Sequence, residues 1–396
     1  MRYARDHPPV VRVLAVLCAA AVCWAYADQP AESRSFEFRH GIVVAPATKS
    51  IYLMRPAGGI EAIDLASGRA RWTVTAADRP LLLHGQILLA QAEDDAGPGI
   101  LRLIAVDTTA PGGVVSRFDV PLPAGISAGI DDAPNRSFRV DAWSRGESII
   151  VSWAYEESRA TGGEHAPAGL ALDRHEAGGV EIDLRDGRLR ELGEMDRRRL
   201  QAGRSPGLAR LIETGAAPVA TWRGDTFHSA LSPGSPGTGI VTIKRWSSAT
   251  GDPLPDLAIS TGTSTVRSPS ADGSHLLASR MIGVTPAGEE DYLWTIFSLE
   301  TGSPTAQVHG ATPGAWFFIS GALLVHEVRP VTREAADRKQ RQPTMLRAVD
   351  LGSGAEVWSR ALRDTADRGP LPAAPRIRRG APPGPGKPSP SRDRRE

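Results

Sequence analysis

Residues 125–129 read Gly-Ile-Ser-Ala-Gly, the G-x-S-x-G spacing that surrounds the nucleophilic serine of many hydrolases. That motif works where a strand leads into the serine and a helix follows it, because the sharp turn between them exposes the hydroxyl above a sheet. Here Pro121 and Pro123 precede the motif and Pro134 follows it. Since we expect neither element beside these prolines, we assign no catalytic role to Ser127.

A second group of polar residues has the types that bind metal ions. It comprises Glu164, His165, Asp173, His175 and Glu176. A zinc site needs three or four such ligands held together on ordered elements. Glycine pairs at 162–163 and 178–179 flank this group and predict a flexible loop. We therefore expect solvent-exposed polar side chains here and no metal site.

Other motifs for catalysis or cofactor binding are missing from the sequence. It contains no phosphate-binding G-x-x-x-x-G-K-[ST] loop and no dinucleotide-binding G-x-G-x-x-G stretch. No pair of carboxylates has a placement that suggests glycoside hydrolysis. We accordingly predict no catalytic, cofactor-binding or metal-binding residues, and a protein that is not an enzyme.

The composition narrows the class of protein that must position these residues. Of 396 residues, 41% are hydrophobic and 23% are charged, and the net charge is +1. The 41 glycines and 32 prolines are too many for a long-helix or coiled-coil protein. The apolar content supports a folded core, and the near-zero charge argues against nucleic acid as the main partner.

The first 27 residues have the layout of a secretory signal peptide. Three arginines precede an apolar run at 13–22, and Ala25-Tyr26-Ala27 is a small-x-small cleavage site. Both cysteines, Cys18 and Cys23, lie in this segment, so the mature chain would contain no disulfide and no thiol nucleophile. We predict a periplasmic or extracellular protein; an uncleaved signal that anchors it to the membrane is the alternative.

Two distant segments have nearly the same sequence. Residues 62–72 and 348–358 share the pattern A-[IV]-D-L-x-S-G-x-x-x-W. The pattern predicts a β-hairpin, because the aspartate can accept hydrogen bonds from backbone N–H groups of the turn and the glycine can adopt a positive φ. A second strand then begins and ends in Trp72 or Trp358.

Weaker copies of this hairpin lie between the two strong ones. They occupy 105–113, 180–187, 245–251 and 297–302. The six predicted turn glycines are at 68, 113, 187, 251, 302 and 354. Strand-like pairs precede most of the hairpins, at 81–84 with 86–91, 138–143 with 148–153, and 315–319 with 322–328. Each unit thus contains about four strands, which is the size of a propeller blade.

The repeat resembles that of the PQQ-like, or quinoprotein-type, β-propeller family, whose signature contains the same Asp, Gly and Trp positions. The resemblance implies an all-β fold, a β-propeller of six or seven four-stranded blades over residues 36–365. A seventh blade would lie in the 113–187 interval or be shared between the termini. Trp72 and Trp358 would dock between neighbouring blades, and long insertions would form loops on one face. A β-sandwich is the alternative fold.

The same resemblance raises the question of an enzyme. Many quinoprotein dehydrogenases have an adjacent cysteine pair over the cofactor and hold calcium with acidic residues and an asparagine. This chain has no cysteine after residue 23, and Asn135 is its only asparagine. We therefore expect a non-catalytic protein-binding scaffold of the non-enzymatic branch. A PQQ-binding dehydrogenase and a propeller that binds a small ligand or polysaccharide are the alternatives.

The C-terminal segment, residues 366–396, is rich in proline and arginine and predicts a disordered tail. Residues 376–396 carry a net charge of +5 and residues 1–27 a net charge of +2, which leaves −6 for the rest of a chain whose net charge is +1. The tail can contact anionic surfaces weakly. We expect a monomer whose partners are envelope or secreted proteins, not nucleic acid.

Overall fold

The computed structural model describes residues 35–363, apart from gaps at 93–98, 111, 130–135, 162–168, 194–219, 222–226, 233–238, 248–251, 265, 286–289 and 329–343. The predicted signal peptide (1–27) and the predicted tail (366–396) therefore lie outside the described residues. No helix within the described ranges is long and apolar enough to cross a membrane.

The described residues form 25 strands in six antiparallel sheets, each built from strands that follow one another in the chain. The first three sheets contain β1 (Phe36–Arg39), β2 (Ile42–Ala45), β3 (Ser50–Met54), β4 (Ile60–Asp64) and β5 (Ala70–Val74); β6 (Arg79–His84), β7 (Ile87–Gln91), β8 (Ile100–Asp107) and β9 (Gly113–Pro121); and β10 (Arg136–Arg145), β11 (Ser148–Thr161), β12 (Gly169–Asp183) and β13 (Leu189–Glu191).

The last three sheets contain β14 (Ala220–Thr221), β15 (Phe227–Ser232), β16 (Ile240–Ser247) and β17 (Pro253–Ser260); β18 (Val266–Pro269), β19 (His275–Val284), β20 (Glu290–Ser298) and β21 (Pro304–Gly310); and β22 (Phe317–Ser320), β23 (Leu323–Val328), β24 (Met345–Asp350) and β25 (Glu356–Ala361). Six such sheets in series are the blades of a β-propeller, and the prediction of an all-β propeller is confirmed.

Hydrophobic cores fill the spaces between neighbouring blades. Along β8, Leu101, Leu103 and Ala105 pack against the third blade, whereas Ile104 and Val106 pack against the first. Successive side chains of a strand point to opposite faces, so one apolar strand supplies two cores. This explains why strands such as β2, β3 and β7 read as nearly continuous apolar runs instead of alternating apolar and polar residues.

The first and last blades also share a core, which closes the ring. Val44 and Leu53 of the first blade belong to the same buried cluster as Phe318, Leu346 and Trp358 of the last. No described strand is shared between the two blades, because β1 pairs with β2 of its own sheet. The described residues therefore give no support to a seventh blade shared between the termini.

The described residues contain six blades and no seventh. The long interval at 113–187 is filled instead by β9 and by the long strands of the third blade, since β11 has 14 residues and β12 has 15. Lengthened strands of one hairpin, rather than an extra sheet, account for the spacing.

The D-L-x-S-G turns form as predicted. Asp64 Oδ1 accepts hydrogen bonds from the N–H of Ala66 (3.1 Å) and from the N–H and hydroxyl of Ser67 (both 2.9 Å). Asp350 Oδ1 does the same with Gly352 and Ser353. The hydrogen bond from Arg71, followed by those of Ser67, lowers the pKa of Asp64 to about 2.

Most of the turn glycines were also predicted correctly. Gly68, Gly187, Gly302 and Gly354 adopt positive φ, and position 251 lies outside the described residues. In the second blade the prediction was wrong by one residue: Gly112 has φ +65°, and β9 begins at position 113. The turn is longer there, so the left-handed residue precedes the strand.

The two faces of the ring differ. On the tight-turn face, short turns such as 85–86, 146–147 and 321–322 join the first and second main strands of a blade, and the D-L-x-S-G turns join the third and fourth. On the long-loop face lie the described connections between second and third strands and between blades, such as 55–59, 75–78 and 122–129. The longest insertions, within 192–219 and 329–344, lie almost entirely outside the described residues, so their placement on one face stays a prediction.

Candidate functional site

The first blade has a fifth strand, β1, on its inner edge. The main strands of this blade are β2 to β5, because the hydrogen bond from Leu65 N to Lys49 O matches those from Thr108 N to Gln86 O and from Leu351 N to Ala322 O in other blades. The additional strand β1 therefore lies closer to the axis of the ring than the first main strand, β2. Sequence reasoning missed this strand because its four residues carry no repeat motif.

The beginning of β1 is attached to the second blade. The hydroxyl of Ser35 donates to the main-chain oxygen of Leu83 (2.9 Å) and accepts from the N–H of the same residue (3.1 Å). On the other side, the rings of Phe36 and Phe38 contact Phe318 of the last blade in edge-to-face geometry, with centroid distances of 5.6 and 5.2 Å. The strand therefore connects the second and last blades.

Two ion pairs reinforce the position of β1. Arg79 Nη2 donates to Glu37 Oε1 (3.1 Å) and to the main-chain oxygen of Val140 in the third blade (3.2 Å). Arg39 pairs with Glu327 of the last blade, and their side chains are only 10% and 2% exposed. These charges stabilise the centre of the ring.

Glu37 combines a raised carboxyl pKa with a partly exposed side chain. Burial raises the pKa of its carboxyl group, against the lowering effect of Arg79, while the nearby Asp141 raises it further. The side chain nevertheless keeps 32% of its surface exposed. Both the raised pKa and the exposed surface are explained if protein surrounds the carboxyl group without covering it.

The described residues do not fit a calcium-bound quinone cofactor. Calcium binding needs several oxygen ligands at one point. No group of three or more His, Cys, Asp or Glu side chains with metal-binding geometry occurs in the described ranges. Of the carboxylates near the axis, Glu37 and Glu327 are each paired with an arginine, which leaves Asp141 beside Glu37 as a single further oxygen donor group. We therefore derive no chemistry through such a cofactor.

Ser127 lies in the connection between the second and third blades. Its side chain is exposed, and the neighbouring Ile126 is buried in the core between those blades. The preceding strand β9 ends at Pro121, and no described residue of this connection is helical. The strand-turn-helix geometry of a nucleophilic serine is not formed by these residues.

Only two members of the predicted polar group, His175 and Glu176, have described side chains, and the structure does not bring these two together. Glu164 and His165 lie outside the described residues, as does the side chain of Asp173. His175 and Glu176 follow each other on β12 and so point to opposite faces of the sheet. His175 Nδ1 is 3.8 Å from Glu156, whereas Glu176 accepts a hydrogen bond from Arg174.

The predicted loop at this position was wrong, because residues 169–183 form a strand. The glycine pair at 178–179 lies within that strand. The indole of Trp153, on β11, occupies the space beside Gly178, where a Cβ would lie 2.2 Å from its Cζ2 atom. Glycine here makes room for a cross-strand tryptophan and does not mark a turn.

One serine–histidine pair was not noticed in the sequence. Ser274 donates to Asp272 Oδ2 (2.7 Å) and lies 2.6 Å from His275 Nδ1. Because the single hydroxyl proton of Ser274 is directed to the aspartate, the histidine must act as the donor to the serine oxygen. The serine is buried. This arrangement fixes a turn of the fifth blade and does not activate a nucleophile.

The long-loop face carries two hairpins that extend beyond their sheets, β11–β12 of the third blade and β19–β20 of the fifth. On the second of these, Met281, Ile282 and Val284 are 48%, 42% and 59% exposed. Exposed apolar side chains that cluster on a projecting element mark surfaces for recognition. This face is therefore the candidate binding surface.

No family model and no curated protein matches the sequence. Among solved structures, the chain is similar to dihydro-heme d1 dehydrogenase NirN in complex with DHE, at 14% identity over 83% of this chain and 67% of that one, with a TM-score of 0.31. It is also similar to BamB from Moraxella catarrhalis, at 14% identity over 71% of this chain and 79% of that one, with a TM-score of 0.27.

A third similar structure is the AtxE2 isopeptidase S527A variant with astexin3-dC4 bound, at 14% identity over 82% of this chain and a TM-score of 0.36. This chain spans about half of the length of that protein, 49%. Because all three TM-scores are below 0.5, the assignment of the propeller rests on the six sheets themselves.

Proposed function

We propose that this chain is a secreted or periplasmic, PQQ-like β-propeller that binds envelope or secreted proteins without catalysing a reaction. The observation that carries the proposal is the difference between the two faces. Each described D-L-x-S-G turn lies on one face, and both projecting hairpins lie on the other. A ring of this kind offers a rigid frame for recognition by loops.

The contacts of β1 indicate that the residues at the centre of the ring hold the blades together. Ser35, Glu37 and Arg39 each contact another blade, so the residues nearest the axis stabilise the ring. The surface left for recognition is the long-loop face. The secretory destination follows from the sequence of residues 1–27 and is part of the proposal.

A photo-crosslinking experiment tests the choice of face. Ala57 and Ala124 are exposed on the long-loop face, and Ala66 and Ala355 are exposed alanines on the tight-turn face. A photoreactive amino acid at each position, activated in the secreting cells, should capture a discrete protein from the first two positions only. Equal capture from both faces, or none from either, would contradict the proposal.

Titration with PQQ tests the proposal that the protein does not catalyse a reaction. Purified protein mixed with PQQ and calcium should show neither the spectrum of a bound quinone nor dye-linked oxidation of alcohols or sugars. Saturable binding of PQQ with turnover would replace this proposal with a dehydrogenase.

A further inference from the structure

The projecting half of β19 has a strand edge that no described strand covers. The first strand of the fifth blade, β18, pairs only with residues 276–279 of β19, ending with Val266 opposite Ser279. On its other side β19 continues to pair with β20 as far as Val284. Residues 280–284 therefore present backbone N–H and C=O groups along the edge that β18 leaves uncovered.

This edge also carries apolar side chains and open space. Met281 lies opposite Tyr292 and Gly283 opposite Asp291, so Ile282 is the additional residue of a β-bulge. The bulge lets Met281 and Ile282 both face solvent. A Cβ added at Gly283 would meet no atom within 4 Å, so a peptide backbone has room to approach.

An uncovered strand edge next to exposed apolar side chains is the arrangement that binds an extended peptide by strand addition. From this arrangement we infer that residues 280–284 of β19 bind an extended segment of a partner protein, with apolar residues at alternate positions and a basic residue near the hairpin tip. The inference rests on the proposed function and names the partner class for one part of the long-loop face.

The charges near this edge favour a basic residue in the bound segment. Two acidic residues lie one strand away from this edge, on β20. Glu290 is opposite Val284 and accepts a hydrogen bond from Tyr292. Asp291 is opposite Gly283 and lies 3.2 Å from His309. The segment between the signal and the tail has a net charge of −6 within a chain of +1. An anionic lipid surface would be repelled by the same carboxylates. The chain's own basic tail is a poor occupant, because its frequent prolines lack the N–H groups that a strand needs.

The probe is a short synthetic peptide in which valine and threonine alternate between terminal lysines, labelled for fluorescence anisotropy. Matched peptides carry terminal glutamates or N-methyl groups on alternate amides. We expect the lysine peptide to bind the full chain and the other two to bind at least about tenfold more weakly. Equal binding of all three peptides would overturn the inference.

Two variants locate the site. M281T combined with V284T places a residue of high strand propensity at both positions but removes apolar contacts, and should weaken binding of the lysine peptide by about tenfold or more. Val115, on β9, is 57% exposed outside this edge, and V115T should leave the affinity unchanged. Equal effects of the two variants would overturn the assignment.

Hydrogen exchange gives the direct readout. Bound peptide should slow amide exchange within residues 280–284, and protection elsewhere alone would overturn the inference. Concentration-dependent protection of these amides without peptide would instead assign the edge to a second copy of this chain. The two proposals fail separately, since peptide binding without photo-crosslinked partners contradicts only the proposed function, and the reverse contradicts only this inference.

Discussion

Trp358 Nε1, in the last blade, donates a hydrogen bond of 3.0 Å to the main-chain oxygen of Leu65 in the first blade. The indole also packs against Gly68, where a Cβ would lie 2.5 Å from its Cγ atom. Both residues belong to copies of the D-L-x-S-G-x-x-x-W repeat. The glycine of one copy thus makes room for the tryptophan of the other, and this contact helps to close the ring.

The same relationship recurs with other side chains. Leu257 of the fourth blade would approach a Cβ at Gly302 of the fifth to 2.9 Å, and Phe118 of the second blade would contact one at Gly187 of the third at 3.9 Å. At Gly68 and Gly302 the turn glycine therefore provides both a positive φ and space for the last strand of the preceding blade, whereas the contact at Gly187 is an ordinary one.

Substituting Gly68 with alanine should destabilise the ring more than the same change at Gly354. Both glycines have positive φ, which costs an alanine about 1–2 kcal/mol. Only at Gly68 does the new Cβ meet the indole, which adds about 1–3 kcal/mol of overpacking. Urea unfolding followed by tryptophan fluorescence measures the difference, and equal losses would refute the packing argument.

Trp358→Phe should lower the free energy of unfolding by about 1–3 kcal/mol, because it removes the hydrogen bond to Leu65 and part of the buried ring. Trp72→Phe is the matched control. Trp72 is half-buried, and the described ring nearest to it is Tyr52 of the same blade, with centroids 5.7 Å apart. Its substitution should cost less; a larger loss than for Trp358 would contradict the structure.

Arg39→Gln should cost about 3–5 kcal/mol, the range for removing one partner of a buried ion pair, since Glu327 is almost fully buried. The double variant with Glu327→Gln should recover part of that loss, which a double-mutant cycle in thermal or urea unfolding would measure. Arg185→Gln, in an exposed pair with Asp183, should cost much less, because water screens the two charges. Additive losses at Arg39 and Glu327 would show that the pair is not coupled.

Lowering the pH from 6.5 towards 4 should destabilise the ring through His326. Burial, reinforced by Arg347, lowers the pKa of this imidazole to about 4 from its usual 6.5. The unfolded chain therefore binds a proton in this range that the folded chain does not, so stability present above 6.5 is lost as the pH falls, by about 2–3 kcal/mol. Burial also lowers the pKa of His84, which acts in the same direction.

His326→Phe should reduce this pH dependence while keeping an edge contact with Trp294, whose ring centroid is 5.2 Å from the imidazole. The measurement is urea unfolding at several pH values between 4 and 7. His309→Phe, at an exposed position on β21, should leave the dependence unchanged. An unaltered slope in the first variant would assign the effect to other groups.

The sequence predicted the parts of the fold that local chemistry determines. Asp64 and Asp350 form the expected turns because their oxygen atoms lie next to the turn amides in the chain, and Trp358 docks between blades as expected. Trp72 is half-buried and packs against the core shared by the first and second blades, so it lies between blades as expected but is covered less than Trp358.

Features that depend on distant contacts were not predictable. The strand β1 is short, and its partners Arg79 and Glu327 lie 42 and 288 residues from Glu37 and Arg39. The uncovered edge of β19 depends on where β18 begins, at Val266, and no motif marks that position. The strand at 169–183 was missed because Gly178 is explained only by the tryptophan opposite it.

The direction of β1 has a practical consequence for attaching this protein to a support. Phe36 lies opposite Val44, near the tight-turn end of β2, whereas Ala361 lies opposite Met345, at the long-loop end of β24. A linker fused ahead of β1 would start from the tight-turn side and leave the opposite side accessible to a soluble binder. A linker fused after β25 would start among the long loops and turn them towards the support, so the two immobilised forms should differ in binding capacity.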